Sequence, residues 1–324
     1  MEIKELMSKF EVSTMLQAHD QFKKSPQYIY DTYFTNQEGI LGQSAEVKIL
    51  RGAGIILSST SPEAEHLIQK TDKEYIVPIS LPRYPLKAII NASELNTLKS
   101  FDNEAGALES LADRIGYEVK KHNESLKTTL EYMCAGALFG KVLDGNGKVL
   151  FEINNNSKAT KIDNAKKIIE FINEYEKRLS DEFGYLPNYE VLSSLEFIDA
   201  LNQKALSENL FQQNNARWIN EENKRILEIY GIKFIPYHAT YKNSKGESKK
   251  YLDDGAIVVP KNTDAFKLIY GRANHTEALE HAPTMIFTSS PKELDDGRGW
   301  AIYSEMRALP VCVRPEALIK LSTK

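Results

Sequence analysis

The sequence predicts an α+β fold in which one long helical rod runs straight into a hairpin. Three observations carry that expectation. An apolar stripe with helical spacing covers residues 108–137. The turn dipeptides Asp144-Gly145 and Asn146-Gly147 follow it at once. Beyond them, helical and strand-like stretches alternate before the chain closes in strands.

Residues 1–44 read as an arm. Aromatics crowd into PQYIYDTYFTNQ, yet no sustained period supports a packed helix or strand. Tyr28, Tyr30, Tyr33 and Phe34 therefore need another surface, either their own domain or a neighbouring subunit. Residues 45–98 read as an extended loop. AEVKIL and GIILSST are strand-like and flank a turn or bulge at Arg51, Gly52 and Gly54. Pro62, Pro78, Pro82 and Pro85 forbid a long helix there and disfavour central strands. A loop of this length in a compact domain tends to be functional or to reach outside it.

The rod and hairpin occupy residues 99–160. Leu108, Leu111, Ile115, Val119, Leu126, Leu130, Met133 and Ala137 form the stripe. Asp102 is the expected N-cap, Glu104 supports the first turn, and Gly140 is the expected stop. Some 35 residues at a rise of about 1.5 Å give a rod of roughly 50 Å. Gly116 lies inside it and should soften it. Residues 161–262 read as a mixed subdomain. A helix is expected over 163–183 with Ile162, Ala165, Ile169, Ile172 and Leu179 on one face, ended by Gly184. A strand over 189–192 precedes a helix capped by Ser193 or Ser194. A further helix is expected over about 220–230, leading through Gly231 into the strand IKFIPYH. The polar loop YKNSKGESKK precedes a turn and strand in YLDDGAIVVPKN. Residues 263–324 return in strands: FKLIYG, TMIFTSS and WAIYSEMRALPVCVRPEALIKLST. No repeat of fixed period is visible.

Composition excludes several classes. The 324 residues are 42% hydrophobic and 27% charged, which argues against disorder over the whole chain. A net charge of -4 with interspersed signs gives no basic surface for tight nucleic-acid binding. The start, MEIKELMSKF, lacks the apolar core of a signal peptide, and no run approaches a membrane span. Cys134 and Cys312 are then expected as buried free thiols in a reducing compartment.

Candidate chemistry is thin. Asp253-Asp254 and Asp295-Asp296 are each followed by glycine, which is turn chemistry before acid-base chemistry. His275 and His281 lie six apart, not the four of a zinc helix. Arg51-Gly52-Ala53-Gly54 lacks the third glycine of a dinucleotide site. Ser157-Lys158-Ala159-Thr160 lacks the glycines of a phosphate loop, and no G-x-S-x-G occurs. The expectation is a protein without catalytic residues, metal or cofactor.

The ordered set of parts resembles the phage major capsid protein E family, the lambda-type shell proteins, whose fold was first seen in phage Hong Kong 97. The likeness runs from about Tyr28 to the end. It is carried by YIYDTYFTNQ, AEVKILRGAGIILSSTSPEA, LPRYPLKAIINASEL, IKFIPYHATYKN…KKYLDDGAIVVPKN and WAIYSEMRALPVCVRPEALIKL. The resemblance implies a Hong Kong 97-type capsid fold. Residues 99–160 and 263–324 would form a peripheral domain with the rod as its spine, and 161–262 an axial domain. It implies a shell protein of a tailed double-stranded DNA phage or prophage, a part of the virion head assembled in the host cytoplasm. Its expected partner is itself, as pentamers and hexamers. A separate scaffolding protein, a portal and a decoration protein are the other implied partners, with weak nonspecific contact to packaged DNA and no membrane. Tyr30, Phe34, Arg51, Lys70 and Arg83 are the candidate assembly contacts. An encapsulin-like compartment shell is the alternative reading. A soluble enzyme using Asp254 or Asp296 is the third.

Overall fold

The stripe that starts near residue 108 folds as one helix, and the chain is arranged around it. The computed structural model describes residues 27–50, 75–94, 104–153, 159–162, 166–221, 224–242, 246–252 and 255–323. The arm gives α1 (Tyr28–Tyr33) and β1 (Gln37–Ile40), followed by β2 (Ser44–Ile49), β3 (Tyr75–Ser80) and β4 (Tyr84–Asn91). The rod is α2 (Glu104–Leu138), and β5 (Lys141–Leu143) and β6 (Val149–Glu152) form its hairpin. Next come β7 (Thr160–Lys161), α3 (Ile168–Phe183), β8 (Tyr189–Ser193) and α4 (Leu195–Ser207). β9 (Ala216–Glu221), β10 (Lys224–Ile229), β11 (Ile232–Pro236), β12 (Thr240–Lys242), β13 (Ser248–Lys250) and β14 (Ala256–Pro260) complete the middle. The closing part holds β15 (Phe266–Gly271), β16 (Ile286–Thr288), β17 (Lys292–Glu293), β18 (Gly299–Met306), β19 (Ala308–Cys312) and β20 (Ile319–Ser322).

Of the expected stripe on α2, Ile115, Val119, Leu126, Leu130, Met133 and Ala137 are buried. Asp102, its expected cap, lies outside the described residues. The helix stops where expected, at Gly140 with φ +77°. Gly136 has a separate purpose. A Cβ there would lie 2.7 Å from the Lys141 carbonyl oxygen, so β5 can fold straight back on the last turns of the helix.

A seven-stranded mixed sheet, in the order β7-β20-β14-β8-β11-β10-β9, divides two apolar cores. On one face, Val191, Ala256, Val258, Ile319 and Leu321 pack with Phe171, Ile172 and Tyr175 of α3 and Phe197 and Leu201 of α4. On the other, Leu192, Ile226, Ile235, Ile257 and Val259 join the core of α2, β15 and β19. This double burial explains why β14 reads as an unbroken apolar run, with all five residues buried. The last strand, β20, lies inside this sheet between β14 and β7. A second sheet has the order β1-β15-β19. In a third, β4 pairs β18 along its whole length while β16 and β17 share the opposite edge. Pro78 and Pro85 fall in β3 and β4, each of which has one paired neighbour among the described strands.

Three expectations need correction. The helix expected over about 220–230 is not formed by the described residues: 220–221 end β9 and 224–229 are β10, its antiparallel partner. The Lys, Arg, Glu and Leu content favours helix locally, but pairing with β11 and burial of Ile226, Leu227 and Ile229 decide otherwise. Tyr230 and Gly231, with φ of +51° and +81°, make the tight turn between β10 and β11. The arm is not free of regular structure, since it contains α1 and β1. The helix expected from 163 starts at Ile168, because Lys167 is extended and provides no side-chain cap. Glu208, beyond α4, accepts the Ile168 N–H instead, at 3.1 Å. Of Ser193 and Ser194, the two expected caps of α4, it is Ser194 whose hydroxyl accepts from the Phe197 N–H at 3.1 Å.

Candidate assembly surface

The arm packs into the core of α2, β15 and β19. In α2, the segment from Glu131 to Leu138 is buried nearly all round, more than a single stripe requires. The extra layer is α1. Glu131, 0% exposed, accepts the Ile29 and Tyr30 N–H groups at 2.9 and 3.0 Å. These are donors in the first turn of α1, so a carboxylate on the rod caps the arm helix. Tyr237 donates its hydroxyl to the same carboxylate at 2.6 Å. Burial pushes the Glu131 carboxyl up, while these three hydrogen bonds oppose the shift.

A second carboxylate holds two tyrosines of α1. Glu190 of β8 accepts the Tyr28 and Tyr33 hydroxyls at 3.1 and 2.9 Å and pairs with Lys261 at 2.6 Å. Lys224 lies 3.8 Å from the centre of the Tyr28 ring. Phe34 ends the helix with no exposed surface, its ring 5.5 Å from that of Phe266. β1 then adds to β15 in parallel, from Gln37↔Leu268 to Ile40↔Gly271. The arm thus covers its aromatics against its own chain, the first of the two surfaces the sequence left open. Phe34 has no area left to offer a neighbour. Tyr30 is half-buried, and its hydroxyl accepts from Gln37 at 3.1 Å.

Arg83 stands at the return of the extended segment, 45% exposed. Its Nε donates to Glu305 at 2.7 Å. Glu305 is buried and also accepts from Arg307 Nε at 3.0 Å and the Asn274 N–H at 2.8 Å. Arg83 therefore fastens the β3–β4 corner to β18 and leaves the rest of its guanidinium to solvent. Arg51 and Lys70 lie outside the described residues. Large apolar groups remain exposed on this side: Tyr75 at 70% and Ile76 at 46% on β3, and Leu41 at 68% before β2. A cleft of 530 Å³ separates β3 and the corner after it from the β5–β6 hairpin.

The residues weighed for chemistry do not come together. Asp295-Asp296 is a turn, with Asp296 accepting the Arg298 N–H at 3.1 Å and Gly297 at φ +67°. Asp253 and Asp254 lie outside the described residues. His275 caps a short 3₁₀ turn by accepting the Glu277 N–H, and its ring lies tilted 5.4 Å from that of Phe287. Cys134 and Cys312 are buried free thiols, as expected, and burial pushes the Cys312 thiol up to about 12. Among the described residues no group of three or more His, Cys, Asp or Glu could hold a metal ion. No helix among them is long and apolar enough to cross a membrane.

Sequence reasoning missed Glu131, Glu190 and Glu305, the three carboxylates that organise these contacts. For Glu131 a signal existed. EYMCAGALFG is apolar round most of the helix, so its one charge had to meet a partner from outside the rod.

No curated protein matches this sequence. Among solved structures, the fold is similar to that of a chain described as a prophage capsid protein of Escherichia coli CFT073. The TM-score is 0.65 at 13% identity, over 97% of this chain and 99% of that one. It is also similar to a phage-related protein of Bordetella bronchiseptica RB50, with a TM-score of 0.53 at 9% identity over 96% of each. At such identities these likenesses speak for the fold, which is the expected capsid fold. Function rests on the family model of phage major capsid protein E, which the sequence matches over residues 11–323. The chain belongs to the phage major capsid protein E family and is a structural shell protein of a phage or prophage, not an enzyme.

Proposed function

We propose that this chain tiles an icosahedral head as pentamers and hexamers around double-stranded DNA. The observation that carries the reading is the family match across nearly the whole chain. In this reading the seven-stranded sheet with α3 and α4 forms the axial domain at the five- and six-fold axes, with β20 contributing to it. The rod, its hairpin and the β4–β18 sheet form the peripheral domain. The segment between β2 and β3, with Arg51 and Lys70, reaches a neighbouring copy. Exposure of Tyr75, Ile76 and Leu41 beside that segment supports this role. The half-free guanidinium of Arg83 and the outer part of Tyr30 are the remaining contact candidates. A net charge of -4 suits a DNA container, because a strongly basic lining would grip phosphate and hinder packing. Scaffolding, portal and decoration proteins are the expected partners, and the host cytoplasm the place of assembly.

Negative-stain microscopy with light scattering on the purified chain tests the reading. Rings of five or six, tubes or closed shells carrying DNA are expected. Closed shells filled with protein would favour the compartment alternative. Monodisperse monomers that persist with a co-expressed scaffold would overturn the proposal.

A further inference from the structure

Arg314 shows how this chain satisfies a largely covered arginine. Its side chain is 16% exposed. Nε and Nη2 donate to Asp264 at 2.7 and 2.9 Å, and Nη1 to Glu182 at 3.4 Å. Arg307 is more deeply buried, 8% exposed, yet gives only its Nε, to Glu305 Oε1 at 3.0 Å. Arg83 repeats the pattern on the other oxygen of the same carboxylate, with Nε 2.7 Å from Oε2. Among the described residues, the terminal nitrogens of both arginines have no hydrogen-bond partner. A guanidinium carries five donors, so most of each fork is unused. Two cations share one anion, which leaves an excess of one positive charge. The Asn274 N–H also donates to Glu305, at 2.8 Å, so this carboxylate already serves three donors.

Arg272 adds to the excess. It lies between Gly271, whose N–H donates to the Arg307 carbonyl at 2.8 Å, and Asn274. Its own Nε is buried without a partner. The surroundings are those of a protein contact. A Cβ on Gly271 would lie 2.8 Å from Leu81 Cδ1 and 3.0 Å from the Gly42 carbonyl oxygen. The bend at Leu41-Gly42 and the β3–β4 corner therefore converge here, and Leu41 is 68% exposed. An exposed leucine beside arginine forks suits a protein partner. A phosphate backbone asks for a broad basic field, which a net charge of -4 does not offer.

We propose that Arg83 and Arg307, with Arg272 beside them, form a carboxylate-binding site that an Asp or Glu side chain of a second copy completes. The inference rests on the shell reading above, because it needs copies in contact. The incoming carboxylate takes fork nitrogens that Glu305 leaves free, in charge-assisted hydrogen bonds. Glu305 positions the two arginines rather than neutralising them. With 45 acidic residues against 41 basic, a neighbouring copy has carboxylates to offer.

The test uses the full-length chain, with a co-expressed scaffold where shells require one. Arg83→Gln keeps a donor for Glu305, which also retains Arg307 and Asn274. The urea midpoint of the subunit should therefore stay at the wild-type value. The protein concentration at half-assembly, read by light scattering, should rise at least about tenfold. Unchanged assembly would overturn the proposal, and if such shells retained less DNA the site would belong to phosphate. An assembly loss that merely follows a lowered urea midpoint would make Arg83 a structural residue and also overturn it. Arg83→Lys gives an independent reading. Shells are assembled from isotopically light and heavy copies and treated with a carbodiimide. The reagent takes up a carboxylate oxygen, becoming a urea, as the new amine forms an amide with that carboxyl. A mixed light–heavy peptide joining position 83 to an Asp or Glu is expected, and it names the partner residue. Coupling only within one chain would sink the idea. A wild type that never passes beyond monomers would remove the shell reading as well, whereas a wild type that assembles alongside an unaffected variant removes the carboxylate site alone.

Discussion

At Gly136 an added Cβ would meet the Lys141 carbonyl oxygen at 2.7 Å, while at Gly116 nothing lies within 4 Å. The two glycines share one helix, so alanine at each isolates the effect of space. Gly136→Ala should destabilise by about 1–3 kcal/mol, because backbone must shift. Gly116→Ala should stabilise by about 0.5–1 kcal/mol, through helix propensity alone. Urea midpoints of the two variants should move in opposite directions. Phe34 offers a sharper question. It is buried against Phe266 in its own chain, so Phe34→Ala should cost the isolated subunit about 3–5 kcal/mol. Unchanged subunit stability with lost assembly would mean that the arm serves a neighbour instead. The thiols make a third case. Burial leaves Cys134 and Cys312 protonated and covered, so a thiol reagent at pH 8 should label neither in the native chain and both in urea.

Elements with a local cause were legible in the sequence. α2 and its hairpin are specified by a stripe, a left-handed glycine and two turn dipeptides, all within residues 108–147. The Ser194 cap is equally local. Ser194→Ala should cost about 1 kcal/mol of stability in a denaturant titration, since the Phe197 N–H loses its acceptor. What failed was non-local. Residues 220–230 carry helix-forming side chains, yet the strand pairing of β9, β10 and β11 overrides them. The Tyr230-Gly231 turn was read as a helix stop because a positive-φ glycine serves both purposes. The identity of the partner of Glu131 was illegible for a related reason. Glu131 lies 102 residues from Ile29 in sequence, and no local pattern announces a cap supplied from so far away.

In the whole molecule, one sheet belongs to both cores. Alternate residues of β8 and β14 face opposite sides, Val191 and Val258 towards α3 and α4, Leu192 and Ile257 towards the core of α2. Unfolding either core strips one face of the same strands, so the chain should melt as a unit. The two tryptophans make this measurable. Trp218 lies on β9 at the edge of the shared sheet, and Trp300 lies in β18. Trp218→Phe and Trp300→Phe leave one fluorophore each, and their urea transitions should coincide. Separated midpoints would mean two independent units. The sheet also has a mechanical meaning. β8 and β14 give side chains to both cores, so a load on one core reaches the other as shear across hydrogen-bond ladders. Such a brick has little internal give. The bending of any wall made from it must be absorbed in the joints between bricks.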